Sequence, residues 1–249
     1  MVILESVQIA ADKNITDFRY PVQLVNRPNL NFRGFCGTIA SGEVKPGDAI
    51  KALPSGKTSV VDRIVTHDGD LDRAFVGQAI TLTLKDEIDI SRGDMIVKVD
   101  DDVAVADHLE AHLVWMAEQS LVAGREYQFK FAGKVTNGIV SKISHRIDVN
   151  TQELSKADAL ALNDIGLVDL QLDQSVVVDP YTINRATGGF IVIDKLSNVT
   201  VGAGMVTQKL EGKGVVEIDF SAFELELNAL VRKHFPHGDA KDVSELRKK

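Results

Sequence analysis

Three stretches of this 249-residue chain hold residue types whose spacing could support chemistry. Gly56-Lys57-Thr58 has the ending of a phosphate-binding loop, where a lysine and a hydroxyl follow a cradle of backbone amides. That cradle needs a glycine five positions before Gly56, where Lys51 stands, and a helix after it. Val60, Val61, Ile64 and Val65 instead favour a strand, so a hairpin turn is expected. Asp68, Asp70 and Asp72 are spaced like the first three ligands of a calcium loop, but Arg73 and Ala79 stand where the glycine and the distal glutamate belong. A solvated acidic loop is the expectation there. The six histidines form no ligand pair on one face, and no serine sits in a nucleophile elbow. Cys36 has no base beside it and reads as a small buried strand residue. Arg92-Gly93-Asp94 and Asn198-Val199-Thr200 match adhesion and glycosylation patterns, which carry no weight without a secretory signal.

The remaining chemistry is recognition. Residues 26–33 form a charged loop with Arg27, Asn29 and Arg33, whose guanidinium groups offer planar, paired donors to carboxylates or phosphates. Residues 86–92 contribute Asp89 and Arg92. Two readings stay open: contact with another domain or partner, or local anchoring of each side chain on its own unit. No metal ligand set and no catalytic residue is expected.

The elements that position these residues are short and numerous, separated by turns, which is the pattern of all-β barrels. Strands are expected over 20–25, 34–40, 49–53, 57–66, 78–84 and 95–99, with turns at 45–48, 54–56 and 92–94. Pro46-Gly47-Asp48 is a turn because proline presets one dihedral and glycine accepts a positive φ. The acidic run Asp100-Asp101-Asp102 favours solvent and marks a domain boundary. Beyond it, 112–116 reads as a strand covered on both faces. Tyr127, Phe129 and Phe131 alternate with polar residues, as do Val168, Leu170 and Leu172. A short helical turn is expected within 151–162, and a strand pair over 187–193 and 200–206. Ser221 with Glu224 makes a capping box, and Phe223, Leu227, Leu230 and Val231 follow at helical spacing. The expected division is therefore a linker or leading strand over 1–18, barrels over 19–102 and 103–210, an amphipathic helix within 211–236, and a disordered tail over 237–249. That helix packs on its own domain or docks a partner.

Composition narrows the class. Hydrophobic residues at 44% and charged residues at 26% suit a globular protein, and the net charge of -8 argues against a nucleic-acid surface. No stretch approaches the ~18 apolar residues of a membrane span. One cysteine excludes an internal disulfide, and the first residues lack a basic leader and cleavage site, so a cytoplasmic setting is expected.

Several runs resemble a known family. VQLVNRPNLNFRGFCGTIASGEVKPGD over 22–48 is similar to the start of the second domain of translation-factor GTPases. NRPNLNFRG, DEIDISRGD and DKLSNVTVGAGM resemble one branch of them, the GTPase subunit of bacterial sulfate adenylyltransferase, and the likeness extends over about 20–235. The resemblance implies two consecutive translation-factor-type β-barrels with a short C-terminal helix. It implies a role as non-catalytic domains in sulfate assimilation, inactive alone but part of an enzyme that makes adenosine phosphosulfate and pyrophosphate from ATP and sulfate, driven by GTP hydrolysis. Its partners would be an N-terminal GTPase domain, which carries GTP and magnesium and is not represented here, and the catalytic subunit. No cofactor-binding residue carries over onto this chain. The alternative is a pair of RNA-gripping barrels from an elongation-factor-like GTPase, which the acidic charge opposes.

Overall fold

The computed structural model describes residues 14, 16–29 and 32–211, together with 227, 228, 230, 231 and 233. The expected tail over 237–249 lies outside the described residues, as do 1–13, position 15 and positions 30 and 31 of the charged loop. The five described positions between 227 and 233 are helical. The rest of the helix expected there is outside the described residues.

The first half builds β1 (Tyr20–Asn29), β2 (Phe32–Thr38), β3 (Glu43–Val44), β4 (Ala49–Leu53), β5 (Lys57–Thr66), β6 (Gly69–Leu71), β7 (Ala74–Phe75), β8 (Ala79–Leu84) and β9 (Met95–Lys98). Their order is β4-β9-β1-β2-β8-β5, and β5 pairs back onto β4, closing six antiparallel strands. β6 folds onto β5 as a hairpin, and β3 with β7 makes a small separate ladder. The second half builds β10 (Ala104–Trp115), β11 (Leu121–Val122), β12 (Glu126–Phe131), β13 (Lys134–Ile147), β14 (Leu154–Ser155), β15 (Ala159–Leu160), β16 (Ile165–Val178), helix α1 (Arg185–Gly188), β17 (Gly189–Ile193) and β18 (Thr200–Lys209). Here the order is β12-β17-β18-β10-β16-β13, with β13 returning to β12. Closure leaves no long unpaired edge in either ring.

Each barrel is filled by the inward side chains of its alternating strands. Tyr20, Val22, Phe35, Ile50, Val61 and Leu82 fill the first; Leu113, Trp115, Tyr127, Phe129, Leu170 and Val192 fill the second. The interiors are packed cores rather than ligand cavities. Tyr20 places its hydroxyl inside the first barrel, where its one O–H lies within hydrogen-bond reach of the carbonyls of Phe35 and Ile80 at 2.8 and 2.7 Å.

Some elements differ from expectation. β10 begins at Ala104, and its outward residues His112 and Val114 are half-buried, so the strand is covered on one face rather than both. β13 spans 14 residues although Asn137, Ser141, Lys142, His145 and Arg146 interrupt its apolar pattern; paired strands on both sides supply the order instead. The stretch 151–162 holds no helical turn but the two short strands β14 and β15. The Asp148 carboxylate accepts from the amides of Asn150 and Thr151 at 2.8 and 2.9 Å and makes the bend before them. A four-residue helix instead follows Asn184, whose side chain accepts from the Ala186 amide as its cap.

The two barrels meet through a buried ion pair. Arg19, 2% exposed, stands just before β1 between the core residues Phe18 and Tyr20. Its Nε and Nη2 donate to Asp179 just beyond β16, at 3.0 Å each. Nη1 donates to Asp101 and to the Phe18 carbonyl at 3.1 Å, and Nη2 also reaches the Asp102 carbonyl at 3.2 Å. All five guanidinium donors are thereby used. Asp101, in a run whose charges favour solvent, is turned inward and also accepts from the amides of Phe18 and Lys98. Thr187 of α1 donates to Asp179 at 2.5 Å, and Asn184 donates to Ser41 of the first barrel at 3.0 Å. Beside this polar knot, Leu53, Met95 and Val97 pack on Val103 and Val177. Gly93, at φ +93°, lets the turn before β9 approach Gly133; an added Cβ would lie 3.3 Å from the Gly133 carbonyl.

Asp179→Asn leaves the Arg19 charge with only Asp101 as an ionic partner, and urea unfolding should show a loss of about 3 kcal/mol. Glu87→Gln at an exposed pair should cost under about 1 kcal/mol. Equal effects would remove the special status of the clasp. Burial, then the nearby Cys36, holds the Tyr20 phenol well above its ordinary value. An unfolded tyrosine ionises near pH ~10, so this contribution is complete below that pH and declines as pH rises above it. Tyr20→Phe should cost about 1–2 kcal/mol at pH 7 by removing this buried hydrogen bond, and should flatten the alkaline fall in stability.

Candidate functional site

The charged loop is the tip of the β1–β2 hairpin, where the strands rise off the barrel wall. A register shift falls between Asn26 and Asn29, and the outer half of β1 turns from buried to exposed. The hairpin meets the segment between β8 and β9. Arg27 Nη2 lies 3.3 Å from Glu87 Oε1, and Arg33 Nη2 lies 3.5 Å from Asp89 Oδ1. Arg33 also stacks its guanidinium over the Phe35 ring, 5.5 Å from the centroid. Asn29 pairs across the hairpin with Phe32. The structure therefore brings Arg27, Arg33 and Asp89 onto one face, each arginine facing a carboxylate of its own barrel. Arg92 stands apart. It belongs to the turn closed by the Ser91 amide and the Asp94 carboxylate at 2.8 Å, beside the second barrel at Gly93 and Gly133. Among the described residues no ion pair joins it to the other four candidates.

A cleft of about 170 Å³ opens beside the hairpin, with Arg33, Arg63, Asp62, Asp86 and Glu87 in its walls. Carboxylates outnumber the guanidinium groups, so it is not an anion cradle. Its ion pairs are solvent-accessible and individually worth about 0–1 kcal/mol, which makes exchange of partners inexpensive. This surface suits charged recognition rather than bond-making.

The other sequence motifs dissolve into local structure. Gly56, at φ +74°, closes the β4–β5 hairpin with its amide on the Ala52 carbonyl at 2.8 Å. Asp70 is held by Arg63 at 2.6 and 3.0 Å; that hydrogen bond lowers its carboxyl below the ordinary range. Asp68, Asp70 and Asp72 form no metal cluster, and none of three or more metal-ligating side chains occurs among the described residues. Cys36 is half-buried and its sulfur accepts from the Thr81 hydroxyl at 3.3 Å.

What sequence reasoning missed is the clasp: Arg19, Asp101, Asp179 and Asn184. One signal was available, an arginine set between two aromatic core residues. Its partner lies 160 positions away, and no local pattern points there.

Comparison with known proteins agrees with this architecture. A family model described as GTP-eEF1A C-terminal domain-like matches residues 108–207, the second barrel. Sulfate adenylyltransferase subunit 1 of Teredinibacter turnerae is 65% identical over 98% of this chain and 52% of its own length. The same-named protein of Saccharophagus degradans is 63% identical over 99% of this chain and 52% of its own length. The chain thus spans about half the length of the curated relatives it matches. Among solved structures, sup35 complexed with GDP superposes with a TM-score of 0.71 at 18% identity, covering 78% of this chain and 48% of that one, a likeness of fold. Similarity that covers 98–99% of the chain, and so both closed barrels, makes the chain a relative of sulfate adenylyltransferase subunit 1, carrying about half that protein's length as two barrels of translation-factor type.

Proposed function

We propose that this chain is the non-catalytic, coupling portion of a sulfate adenylyltransferase GTPase subunit. The observation that carries the proposal is the identity of 56–65% to subunit 1 proteins over nearly all of the chain. In this reading the units 19–102 and 103–210 hold a GTPase domain, the site of GTP and magnesium, against a catalytic subunit. That subunit forms adenosine phosphosulfate and pyrophosphate from ATP and sulfate. Packed barrel interiors leave the outer surfaces to do the work, and the clasp makes the two barrels move as one body. A rotation imposed by nucleotide state at one surface would then reach the other undiminished.

The hairpin face is the contact proposed for that role. Arg27, Asn29, Arg33 and Asp89 project from the first barrel, and Arg92 marks the neighbouring turn. Their local pairs are weak enough to be traded for carboxylates and amides of another domain or subunit. A single cysteine and the absence, among the described residues, of a helix long and apolar enough to cross a membrane are compatible with work in the cytoplasm.

The purified chain should hydrolyse no GTP above a blank preparation and should transfer no adenylyl group. It should be retained by the immobilised catalytic subunit. Arg27→Glu with Arg33→Glu should weaken that retention roughly tenfold or more, while the unfolding midpoint changes little. Hydrolysis by the chain itself, or retention untouched by both charge reversals, would refute the corresponding half of the proposal.

A further inference from the structure

Three loops come together at one end of the second barrel. The Met116 amide donates to the Val201 carbonyl and the Asn163 amide to the Trp115 carbonyl, each at 2.8 Å. Leu121 and Val122 pair with Leu160 and Ala159. These loops leave Met116, Val122, Leu162, Leu196 and Val199 exposed. A single exposed apolar residue needs no explanation, but five on adjoining loops make a patch. Leu196 leads it at 92% exposed. The turn that carries it is braced: the Asp194 carboxylate accepts from the amides of Leu196 and Ser197 and from the Ser197 hydroxyl, and Arg125 donates to it as well. A leucine fixed outward on such a turn is a knob that loses little freedom when it is covered.

Beside the knob lies a cleft of about 280 Å³. Trp115, Ala117, Val199 and Val201 give it apolar walls, joined by Arg125 and Tyr127. Tyr127 is 1% exposed, and its hydroxyl has no hydrogen-bond partner among the described residues. The Arg125 guanidinium over its ring carries donors only, so it cannot take the phenolic proton. The cleft thus offers apolar walls and lacks an acceptor. A leucine and the backbone carbonyl behind it would supply what fits both.

We propose that this end of the second barrel is a self-association face, on which Leu196 of each of two copies enters the other's cleft. Knob and hole adjoin on one face, so a two-fold axis between them seats both at once, and the assembly closes as a pair. Charge does not oppose it locally. Arg125 is paired with Asp194, Lys195 with Glu126 and Arg146 with Asp164, which lowers the repulsion between two copies of a chain of net charge -8. The proposal rests on this face alone and is independent of sulfate chemistry.

Sedimentation equilibrium of the full chain should show monomer passing to dimer, with no larger species, between ~1 and ~100 μM. Leu196→Glu should raise the dimer dissociation constant roughly tenfold or more, because it withdraws an apolar side chain and carries a charge into the cleft. Its thermal midpoint should not change, since Leu196 is almost wholly exposed. Leu24→Glu, at an exposed site on the first barrel, should leave association as it was. In an equimolar mixture of Leu196→Cys and Ala117→Cys chains, each also Cys36→Ser, a short bis-maleimide should join unlike chains in excess of like ones. A chain that stays monomeric throughout, a dimer indifferent to Leu196→Glu, or cross-links between like chains only would overturn the proposal. Monomer throughout, with capture by the catalytic subunit lost in Leu196→Glu, would overturn it too and give the face to that partner.

Discussion

A guanidinium taken out of water between two barrels constrains most of this structure. Arg19 can stay charged there because each of its five donors meets an oxygen: two carboxylates and two carbonyls drawn from both barrels and the link between them. Breaking such a set leaves a buried charge unpaired, so any motion of the barrels that parts it is costly. Asp179 is held in turn by Thr187, and the helix that carries Thr187 is capped by Asn184, which reaches across to Ser41. The short helix therefore serves the interface more than the barrel to which it belongs. The neighbouring apolar contact of Leu53, Met95, Val97 and Val177 adds area without direction, while the ion pair supplies the direction.

With the two bodies locked and their interiors filled by side chains, function moves to the outside. The two surfaces differ in kind. The hairpin face of the first barrel is polar, its arginines paired loosely with exposed carboxylates, and suits contacts that form and break. On the second barrel Val114, Ile191, Ala203 and Met205 turn outward, half-buried, and make an apolar wall. In the proposed role a unit built this way would transmit position, and it resembles about half the length of sulfate adenylyltransferase subunit 1.

The short strands were legible where alternation was clean. Lys57–Thr66 and Ala49–Leu53 stand at their expected bounds, and Tyr127, Phe129 and Phe131 point inward as their period requires. β13 was not legible, because its polar residues are tolerated only by strands paired on both sides. The helical turn expected within 151–162 did not form, since the Asp148 carboxylate binding the amides of Asn150 and Thr151 looks the same in sequence whether a helix or a strand follows. Of the candidate site, the residue types and their loop could be named in advance. That residues 86–92 could bring acidic partners to it was one open reading, but which carboxylate meets which arginine was not legible, since sixty or so residues separate the partners.

The sequence by itself determined the all-β class, the turns made by Gly47 and Gly56, the want of a phosphate cradle at Gly56-Lys57-Thr58, and the family likeness. Each of these depends on neighbours within a few positions, where side-chain period and backbone sterics act directly. Only the tertiary structure decided which charges are buried and which are free to exchange. Asp101 sits in an acidic run that reads as solvent-seeking, yet it faces inward, because Arg19 arrives there from 82 positions away and repays the loss of water.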